Sequence, residues 1–477
     1  MNRIKNINQI FVALVAVLVS SCIPELSVQD VNKLNSPEQF RESKDTTNSV
    51  SMNWKEYFED PYLIALIDTA LMKNQELNIV GQEIEISRNE VMARKGEYLP
   101  FVNLGLESDL EKVGEYTRNG AVESNLKIKD GDKFPEPLGN ILIGATAFWE
   151  VDIWRKLRNA KKAAYKRYLA SVDGRNFMVT NLIAEIANTY YELLALDNQL
   201  GIVERNIKIQ TDALNVVKIQ KQSAKVTELA VRRFEAQVLD TRSLRFTIQQ
   251  QIIETENKLN FLVGRFPQPI ERNADVFQDL TPKEIQAGVP SQLLTNRPDI
   301  RAAEMNLAAA KLDVASTKAN FFPSLDITAG LGFEAFKPQF LLTAPESMMY
   351  SATGGLLAPV INRKAIQASY KNAGASQVQA MYDYQQKVIN AYVEVVNQLS
   401  NLDNLSNSYQ LKSQQVDALT ESVEISNRLF RSARADYMEV LMTQRDALET
   451  KFELVETKMQ QMHAMVGIYR ALGGGWQ

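Results

Sequence analysis

In the stretch Tyr98-Leu99-Pro100-Phe101-Val102-Asn103-Leu104, an aromatic residue and a proline open an alternating, strand-like run. The same arrangement returns at Phe321-Phe322-Pro323-Ser324-Leu325-Asp326-Ile327. A second alternating run and then a very long helical stretch follow each copy, at a period of roughly 205 to 225 residues. Repeats of solenoid proteins are far shorter. The sequence therefore predicts a duplicated fold in which each half supplies two strands and a long helical hairpin.

Composition and charge limit the classes of protein that fit this chain. Apolar residues make up 45% and charged residues 23% of its 477 residues, as in folded proteins. The net charge is only −4 and the basic residues are not concentrated on one face, which argues against a nucleic-acid partner. Beyond the N-terminus no apolar run approaches the ~20 residues of a spanning helix, whereas the weak alternating signal of barrel strands remains compatible with the sequence.

The N-terminal segment has the pattern of a bacterial export signal. Residues 1–21 combine a basic start with an apolar run of signal-peptide length. They end in Val19-Ser20-Ser21-Cys22, which resembles a lipobox, in which the cysteine is cleaved and acylated. Cys22 is the only cysteine of the chain, so the mature protein has no internal disulfide. We predict lipidation of Cys22 and an acylated tether over residues 22–59, which an acyl chain would anchor to the outer membrane.

Four stretches alternate apolar and polar residues with the period of a strand. In the first of them, Val102, Leu104 and Leu106 share a face opposite Glu107 and Asp109. This pattern fits a soluble sheet with one buried face, and it equally fits a lipid-facing wall around a wet lumen. The signal peptide and the lipobox favour the membrane. The strands are expected at about 101–111, 141–151, 324–336 and 349–361.

Four strands are too few to close a membrane barrel. An open sheet edge cannot lie in hydrocarbon, and membrane barrels begin at about eight strands. Two chains would supply eight strands and three chains twelve, and a wide, wet pore favours three. We therefore expect a homotrimer in contact with outer-membrane lipid.

The helical stretches have the repeat of long, packed hairpins. Apolar residues recur every seven positions in the first long arm, which predicts left-handed supercoiling against neighbouring helices. Each long arm would extend about 100 Å, and its shorter partner covers only about half of it. Helices over 60–97 and about 298–320 are expected to stack on the shorter arms. The hairpins are expected at about 156–264 and 364–470, and the heptad positions of the first are Val179, Ile186, Leu193, Leu200, Ile207 and Leu214.

Five motifs carry a family resemblance. They are Trp54-Lys55-Glu56-Tyr57-Phe58-Glu59-Asp60-Pro61, Trp149-Glu150-Val151-Asp152-Ile153-Trp154, Asn296-Arg297-Pro298-Asp299-Ile300-Arg301-Ala302-Ala303-Glu304, Phe321-Phe322-Pro323-Ser324 and Tyr469-Arg470-Ala471-Leu472-Gly473-Gly474-Gly475-Trp476. In this order, within a duplicated chain that has a lipobox, they resemble the TolC family of outer-membrane efflux channels, in the lipoprotein (NodT-type) branch that serves RND multidrug pumps. The resemblance spans nearly the whole mature chain.

This resemblance implies a mainly α-helical protein with a membrane β-barrel part. Three chains would form a twelve-stranded β-barrel continuous with a twelve-helix α-barrel. Structural repeats would cover residues 60–280 and 281–477, and the segment 265–297, which holds four prolines, fits the equatorial belt of the family. The implied partners are a periplasmic adaptor protein and an RND-type inner-membrane transporter.

The hairpin ends are the implied gate and the implied adaptor contact, and the family opens this end iris-like on assembly. Acids that are common at the gate in the family are replaced here by Ala230 and Met442, so closure is expected to depend more on apolar contacts. The gate residues expected from the resemblance are Tyr437, Met438, Glu439 and Met442. The expected adaptor-contacting turns are Ser223-Ala224-Lys225 and Ser432-Ala433-Arg434, in which alanines replace the turn glycines common in the family.

Nothing in the sequence points to catalysis or to a cofactor. A zinc-binding Cys/His set, a phosphate-binding loop and a G-x-S-x-G elbow are all missing. His463, the sole histidine, is expected to be a structural or surface residue. Glu150 and Asp152 could do acid–base work, but their place on the polar face of a strand favours a pore-lining or junction role.

The predicted function is passive export of drugs or other small toxic solutes across the periplasm and outer membrane. The lipoprotein branch and the run Arg297-Pro298-Asp299-Ile300-Arg301 favour this reading. A duct for type I protein secretion and a non-conducting envelope stalk are the alternatives. The transported substrate stays open, because specificity in such systems usually resides in the pump.

Overall fold

The computed structural model describes residues 24, 37, 40, 53–128, 131–283, 287–432 and 434–476. Cys22 and Ala433, two residues singled out from the sequence, lie outside the described residues. The described chain is mainly helical and holds one small antiparallel sheet, which confirms the predicted fold class. Within these residues, no helix combines the length and the hydrophobicity that a membrane span requires.

The four strands form a single antiparallel sheet, so both halves of the chain contribute to it. Within the described residues β1 and β4 are the outer strands, and each is hydrogen-bonded to a neighbouring strand on one side only. The strands are β1 (Phe101–Glu111), β2 (Leu138–Val151), β3 (Ser324–Ala335) and β4 (Met348–Leu357), in the order β1-β2-β3-β4.

Two strand ends differ from the sequence prediction. β2 begins at Leu138 rather than at 141, because Leu138 pairs with Glu111 at the end of β1. β4 ends at Leu357 rather than at 361. Pro359 follows shortly after, and a proline has no backbone N–H to donate to a sheet. Strand pairing thus sets the start of β2, and a proline limits the end of β4. The alternation of the sequence predicted the first strand too short and the second too long.

The register places the four apolar strand faces on one side of the sheet. Leu104 lies opposite Ala145, Ala145 opposite Leu331, and Leu331 opposite Tyr350. In the isolated chain this face is open, with Leu104 87%, Leu331 58% and Tyr350 81% exposed. An apolar surface of this extent needs a cover, since contiguous apolar patches on soluble monomers are small.

The opposite face carries a row of glycines where β1, β2 and β3 pair, at Gly105, Gly144 and Gly332. A Cβ atom on Gly332 would lie 2.4 Å from the carbonyl oxygen of Ile143. A Cβ atom on Gly144 would lie 2.7 Å from the carbonyl oxygen of Leu331. Such close backbone approach leaves room for glycine alone.

We expect Gly332→Ala to destabilise the sheet by about 1–3 kcal/mol, because the added methyl group overlaps the neighbouring strand. Gly354→Ala in β4 is the matched control, since a Cβ atom there has nothing within 4 Å. The measurement is the thermal unfolding midpoint of each detergent-purified variant. Equal midpoints for the two variants would contradict the close approach.

The helices before β3 include the first long hairpin. Two 3-10 turns, Ala274–Asp279 and Pro290–Gln292, lie in the segment predicted as the belt. The helices are α1 (Trp54–Tyr57), α2 (Pro61–Lys73), α3 (Gln75–Glu97), α4 (Arg118–Asn125), α5 (Lys156–Gln222), α6 (Glu228–Val263), α7 (Leu293–Asn296) and α8 (Pro298–Ala319).

The second long hairpin follows β4. It consists of α9 (Lys364–Arg431) and α10 (Tyr437–Ala471). The long arms α5 and α9 contain 67 and 68 residues, which is far above the length of helices in ordinary globular domains. Their similar lengths agree with the duplication read from the sequence.

The described residues form two compact units. One comprises Glu85–Leu169 and Met305–Tyr382 and holds the whole sheet. The other comprises the described parts of Asn32–Ile84, Ala170–Glu304 and Asp383–Gln477, and it holds the hairpin turns. Each unit draws on both halves of the chain, so the units cut across the sequence repeats.

The heptad positions predicted for α5 belong to the core of the second unit. Ile186 and Leu193 are fully buried, and Val179 and Leu214 are nearly so. They lie on one face of the helix, which explains the seven-residue repeat. The belt segment is joined to this core by Arg272, whose guanidinium donates to Asp197 at 2.9 Å and whose pKa is raised because hydrogen bonds to Asp197 and Glu256 outweigh burial.

Three of the family motifs meet in this unit. The ring of Tyr57 stacks on Tyr469 at 4.1 Å, and the Tyr57 hydroxyl donates to the Met465 carbonyl at 2.9 Å. Arg297 is 4% exposed and donates to the Ala471 carbonyl at 2.9 Å. These residues therefore hold the N-terminal, central and C-terminal parts of the unit together.

The other two motifs form the junction between strands and helices in the first unit. The indole of Trp154 stacks on Phe322 at 4.7 Å and donates to the Pro323 carbonyl at 2.8 Å. The Asp152 carboxylate accepts the backbone N–H groups of Leu157 and Arg158 at 3.0 and 2.9 Å. Asp152 is therefore a helix cap for α5, because it satisfies N–H groups that the first turn leaves free.

Candidate functional site

The first hairpin turn has a defined helix-stop geometry. The Lys225 N–H donates to the Gln220 carbonyl and the Ala224 N–H to the Lys221 carbonyl, each at 2.9 Å. Ala224 has a φ of 53°, in the left-handed region. This is a Schellman motif, in which glycine is the usual residue at the left-handed position. The left-handed position is the one at which the resemblance implies a glycine, and an alanine occupies it here.

The second turn follows the same pattern in its described part. The Arg434 N–H donates to the Leu429 carbonyl at 2.9 Å, which is the same six-residue closure. Ser432 and Arg434 are exposed, as are Ser223, Ala224 and Lys225 at the first turn. The predicted turn residues that the structure describes are therefore accessible in the single chain.

A chain of ion pairs spans the first turn, and sequence reasoning missed it. Glu228 pairs with Lys221 across the turn and with Arg232 at 2.9 Å, and Arg232 also reaches Glu235 at 2.9 Å. The hydrogen bond from Lys221 and the nearby charge of Arg232 lower the pKa of Glu228. The four-residue spacing of Glu228 and Arg232 was the available signal. Exposed Lys225 and Arg233 lie beside this network, so the first turn carries more positive than negative charge.

The predicted gate residues divide between two faces of α10. Met438 is 37% and Met442 50% exposed, and Glu439 is exposed beside them. Their spacing puts them on one side of the helix. Tyr437 is half-buried and packs with Leu441 on the other side. The structure thus brings two methionines and one carboxylate together on an open face.

The ends of the two hairpins pack against each other through an apolar cluster, called here the end cluster. The rings of Phe234 and Phe430 lie 6.4 Å apart in it. Ala230, which occupies a position that is commonly acidic in the family, is fully buried in the same cluster. A carboxylate at Ala230 would lose its hydration there. The cluster consists of Leu214, Val217, Ala230, Val231, Phe234, Val238, Phe430 and Val440.

Two helices of the second unit carry exposed apolar stripes at heptad spacing. On α6, Leu239, Phe246 and Ile253 are 59%, 61% and 51% exposed. On α9, Leu411 and Ile425, fourteen positions apart, are 68% and 41% exposed. In a coiled coil such stripes face a partner helix, and within the single chain they face outwards.

His463 lies away from the hairpin ends. Its Nε2 atom lies 3.0 Å from the Asn188 carbonyl, so the proton is on Nε2, and burial lowers the pKa of the imidazole. This agrees with the predicted structural role. Among the described residues, no group of three or more His, Cys, Asp or Glu side chains could hold a metal ion.

The comparison with protein families identifies the class. The family described as outer membrane efflux protein matches residues 66–265 and 289–474. The chain therefore belongs to the outer membrane efflux protein family, which confirms the resemblance read from its motifs. Its members are efflux proteins and not enzymes, as the sequence predicted.

Individual relatives match along most of their length. The pyoverdine export outer membrane protein OpmQ of Pseudomonas putida is 28% identical over 426 residues, covering 89% of this chain and 88% of that protein. The cation efflux system protein CusC of Escherichia coli O6:H1 is 26% identical over 449 residues, covering 92% and 93%.

The fold agrees with solved structures of such channels. The open state of the Neisseria gonorrhoeae MtrE outer membrane channel gives a TM-score of 0.82 at 23% identity, covering 96% of this chain and 98% of that one. At this identity the likeness establishes the shared fold.

We expect Ala224→Gly to stabilise the first turn by about 1 kcal/mol, because the left-handed conformation is strained for any residue with a Cβ atom. Ala236→Gly, at an exposed position inside α6, is the control and should destabilise by about 0.5–1 kcal/mol. Hydrogen–deuterium exchange at the turn measures both changes. A faster exchange in Ala224→Gly would contradict the assigned geometry.

Proposed function

We propose that three copies of this chain form an outer-membrane export duct for small toxic solutes. The observation that carries the proposal is a four-stranded sheet with one exposed apolar face and two outer strands bonded on one side. In hydrocarbon, the backbone groups of β1 and β4 must find partners, and lipid covers an apolar face. Three copies would pair β4 of one chain with β1 of the next and close a twelve-stranded barrel.

The apolar stripes of α6 and α9 support the same assembly. Leu239, Phe246 and Ile253 repeat every seven residues, as expected for a surface that packs against a neighbouring helix. Helices of adjacent copies would cover these stripes. The exposed basic residues Lys225 and Arg233 at the first turn lie outside these stripes and would be available to another protein.

The relatives favour small solutes as cargo. Their names refer to pyoverdine export and to cation efflux, and neither name refers to protein secretion. By analogy, an RND-type inner-membrane transporter would drive export through a periplasmic adaptor, and the duct itself would be passive. Cys22 would carry the acyl anchor that fixes the mature N-terminus to the outer membrane.

The open face of α10 would form the periplasmic gate. Threefold symmetry would repeat Met438 and Met442 as apolar rings and Glu439 as a ring of carboxylates. Apolar rings resist wetting, and a carboxylate ring attracts cations and repels anions. The turns Ser223-Ala224-Lys225 and Ser432-Ala433-Arg434 would contact the adaptor, which is consistent with the exposure of their described residues.

The test is single-channel recording of the purified protein in planar bilayers. The wild-type chain should conduct and prefer cations, and Glu439→Gln should lower the cation-to-anion permeability ratio about twofold or more. Glu271→Gln, an exposed acid in the belt segment rather than on α10, is the control and should leave the ratio unchanged.

Two other outcomes would redirect the proposal. A wild-type protein that inserts without conducting would favour the stalk reading. Unchanged selectivity in Glu439→Gln, with normal conductance, would remove Glu439 from the gate while leaving the duct in place.

A further inference from the structure

A buried polar layer separates two apolar clusters in the hairpins. Towards the turns lies the end cluster. Away from the turns lies a second cluster, called here the shaft cluster, which includes Val203 of α5, Ile248 of α6 and Leu448 of α10. Between the two clusters, Gln210 is 1%, Thr241 1% and Gln444 2% exposed.

The polar layer interrupts the seven-residue apolar repeat of α5 at one position. Val203 and Val217 are fully buried, and Gln210 lies seven residues from each of them. Val203 belongs to the shaft cluster and Val217 to the end cluster. Gln210 therefore occupies a seam position, where an apolar residue would continue the core.

The same boundary crosses α6 and α10. On α6, Thr241 lies between Val238 of the end cluster and Leu244, which packs on the shaft cluster. On α10, Gln444 lies between Val440 of the end cluster and Leu448. Three helices thus change from one cluster to the other at polar residues.

The two glutamines find no protein partner there. Both the amide nitrogen and the amide oxygen of Gln210 and of Gln444 are buried without a hydrogen bond among the described residues. Thr241 bonds only within its own helix, donating to the Gln237 carbonyl at 3.0 Å. Buried polar groups are nearly always hydrogen-bonded, and a buried polar group without a hydrogen bond destabilises the folded state. The packing between the hairpins is therefore weaker at this level than on either side.

We propose that Gln210, Thr241 and Gln444 form a hinge layer at which the hairpin ends separate from the shaft. This inference rests on the proposed function, in which these ends open. The end cluster keeps the segment beyond the layer together, so that segment moves as one body carrying Met438 and Met442. Opening at the layer gives the two amides access to water, which offsets part of the free energy lost when the packed helices part.

Gln461, also on α10, shares this property only in part. It is 3% exposed, and its amide oxygen has no partner among the described residues, but its amide nitrogen donates to the Leu405 carbonyl at 3.3 Å. Lys458 lies three residues before Gln461, and Met462, the next residue, belongs to the shaft cluster. Gln461 therefore provides a matched glutamine outside the layer.

The test replaces the layer with apolar residues of nearly the same shape. In the double variant Gln210→Met/Gln444→Met the two clusters become continuous, so we expect hydrogen exchange of backbone amides in 211–240 and 434–443 to slow about tenfold. In bilayers the same variant should spend at least a few-fold less time in its open level. Gln461→Met should change neither exchange nor opening.

The possible outcomes separate the hinge from the duct. Slower exchange and reduced opening in the double variant, with Gln461→Met unchanged, support the hinge. If the wild-type protein conducts and the double variant has the same hydrogen exchange and the same opening as the wild type, the hinge is overturned, while the proposed duct stands. A wild-type protein that never conducts would contradict the proposed function instead, whatever the hydrogen exchange shows. If the double variant fails to fold, Thr241→Val tests the layer from α6 with the same expectations.

Discussion

The open edges of the four-stranded sheet are the constraint on which the rest of the protein depends. If β1 and β4 each bond on one side only, as they do within the described residues, the sheet cannot lie in a membrane alone, because no water is there to satisfy the free backbone groups. The exposed apolar face of the same strands cannot remain in water either. Both demands are met when copies of the chain pair edge to edge and lipid covers the apolar face. In the proposed duct the sheet therefore requires assembly, and the exposed stripes on α6 and α9 extend that requirement to the helices.

The family motifs acquire physical roles in the fold. Asp152 caps α5 where the chain leaves β2, and Trp154 fixes the start of β3 through the Pro323 carbonyl. Arg297 ties the start of α8 to the end of α10 through the Ala471 carbonyl. In the described structure, the motifs that reveal the family therefore hold the scaffold together.

Much of this fold could be predicted because its signals are local. Alternation at Val102, Leu104 and Leu106 assigns a strand and its faces, and the heptads of Ile186 and Leu193 assign a packed helix. The duplication predicted two strands from each half of the chain, and the structure supplied their order. The start of β2 at Leu138 could not be read in this way, since it is set by pairing with a residue of β1. The ion pair between Glu228 and Lys221 likewise depends on the turn that brings the two residues together.

Several properties of the hairpin ends could not be predicted from the sequence. The resemblance places a turn glycine at Ala224, but the alanine itself does not indicate a positive φ, and Ala230 gives no sign of its complete burial. Gln210 stands at a heptad position, but only the structure shows that its amide is enclosed without a partner. These properties arise from packing between segments far apart in the chain, which one sequence does not report.

The central claim is that the sheet is completed by copies of the same chain, and the most direct test is native mass spectrometry of the detergent-purified mature protein. We predict one species with the mass of three chains, and this trimer should remain intact until the detergent is removed or the protein unfolds. A monomer, or a dimer with eight strands, at concentrations where the protein conducts would contradict it.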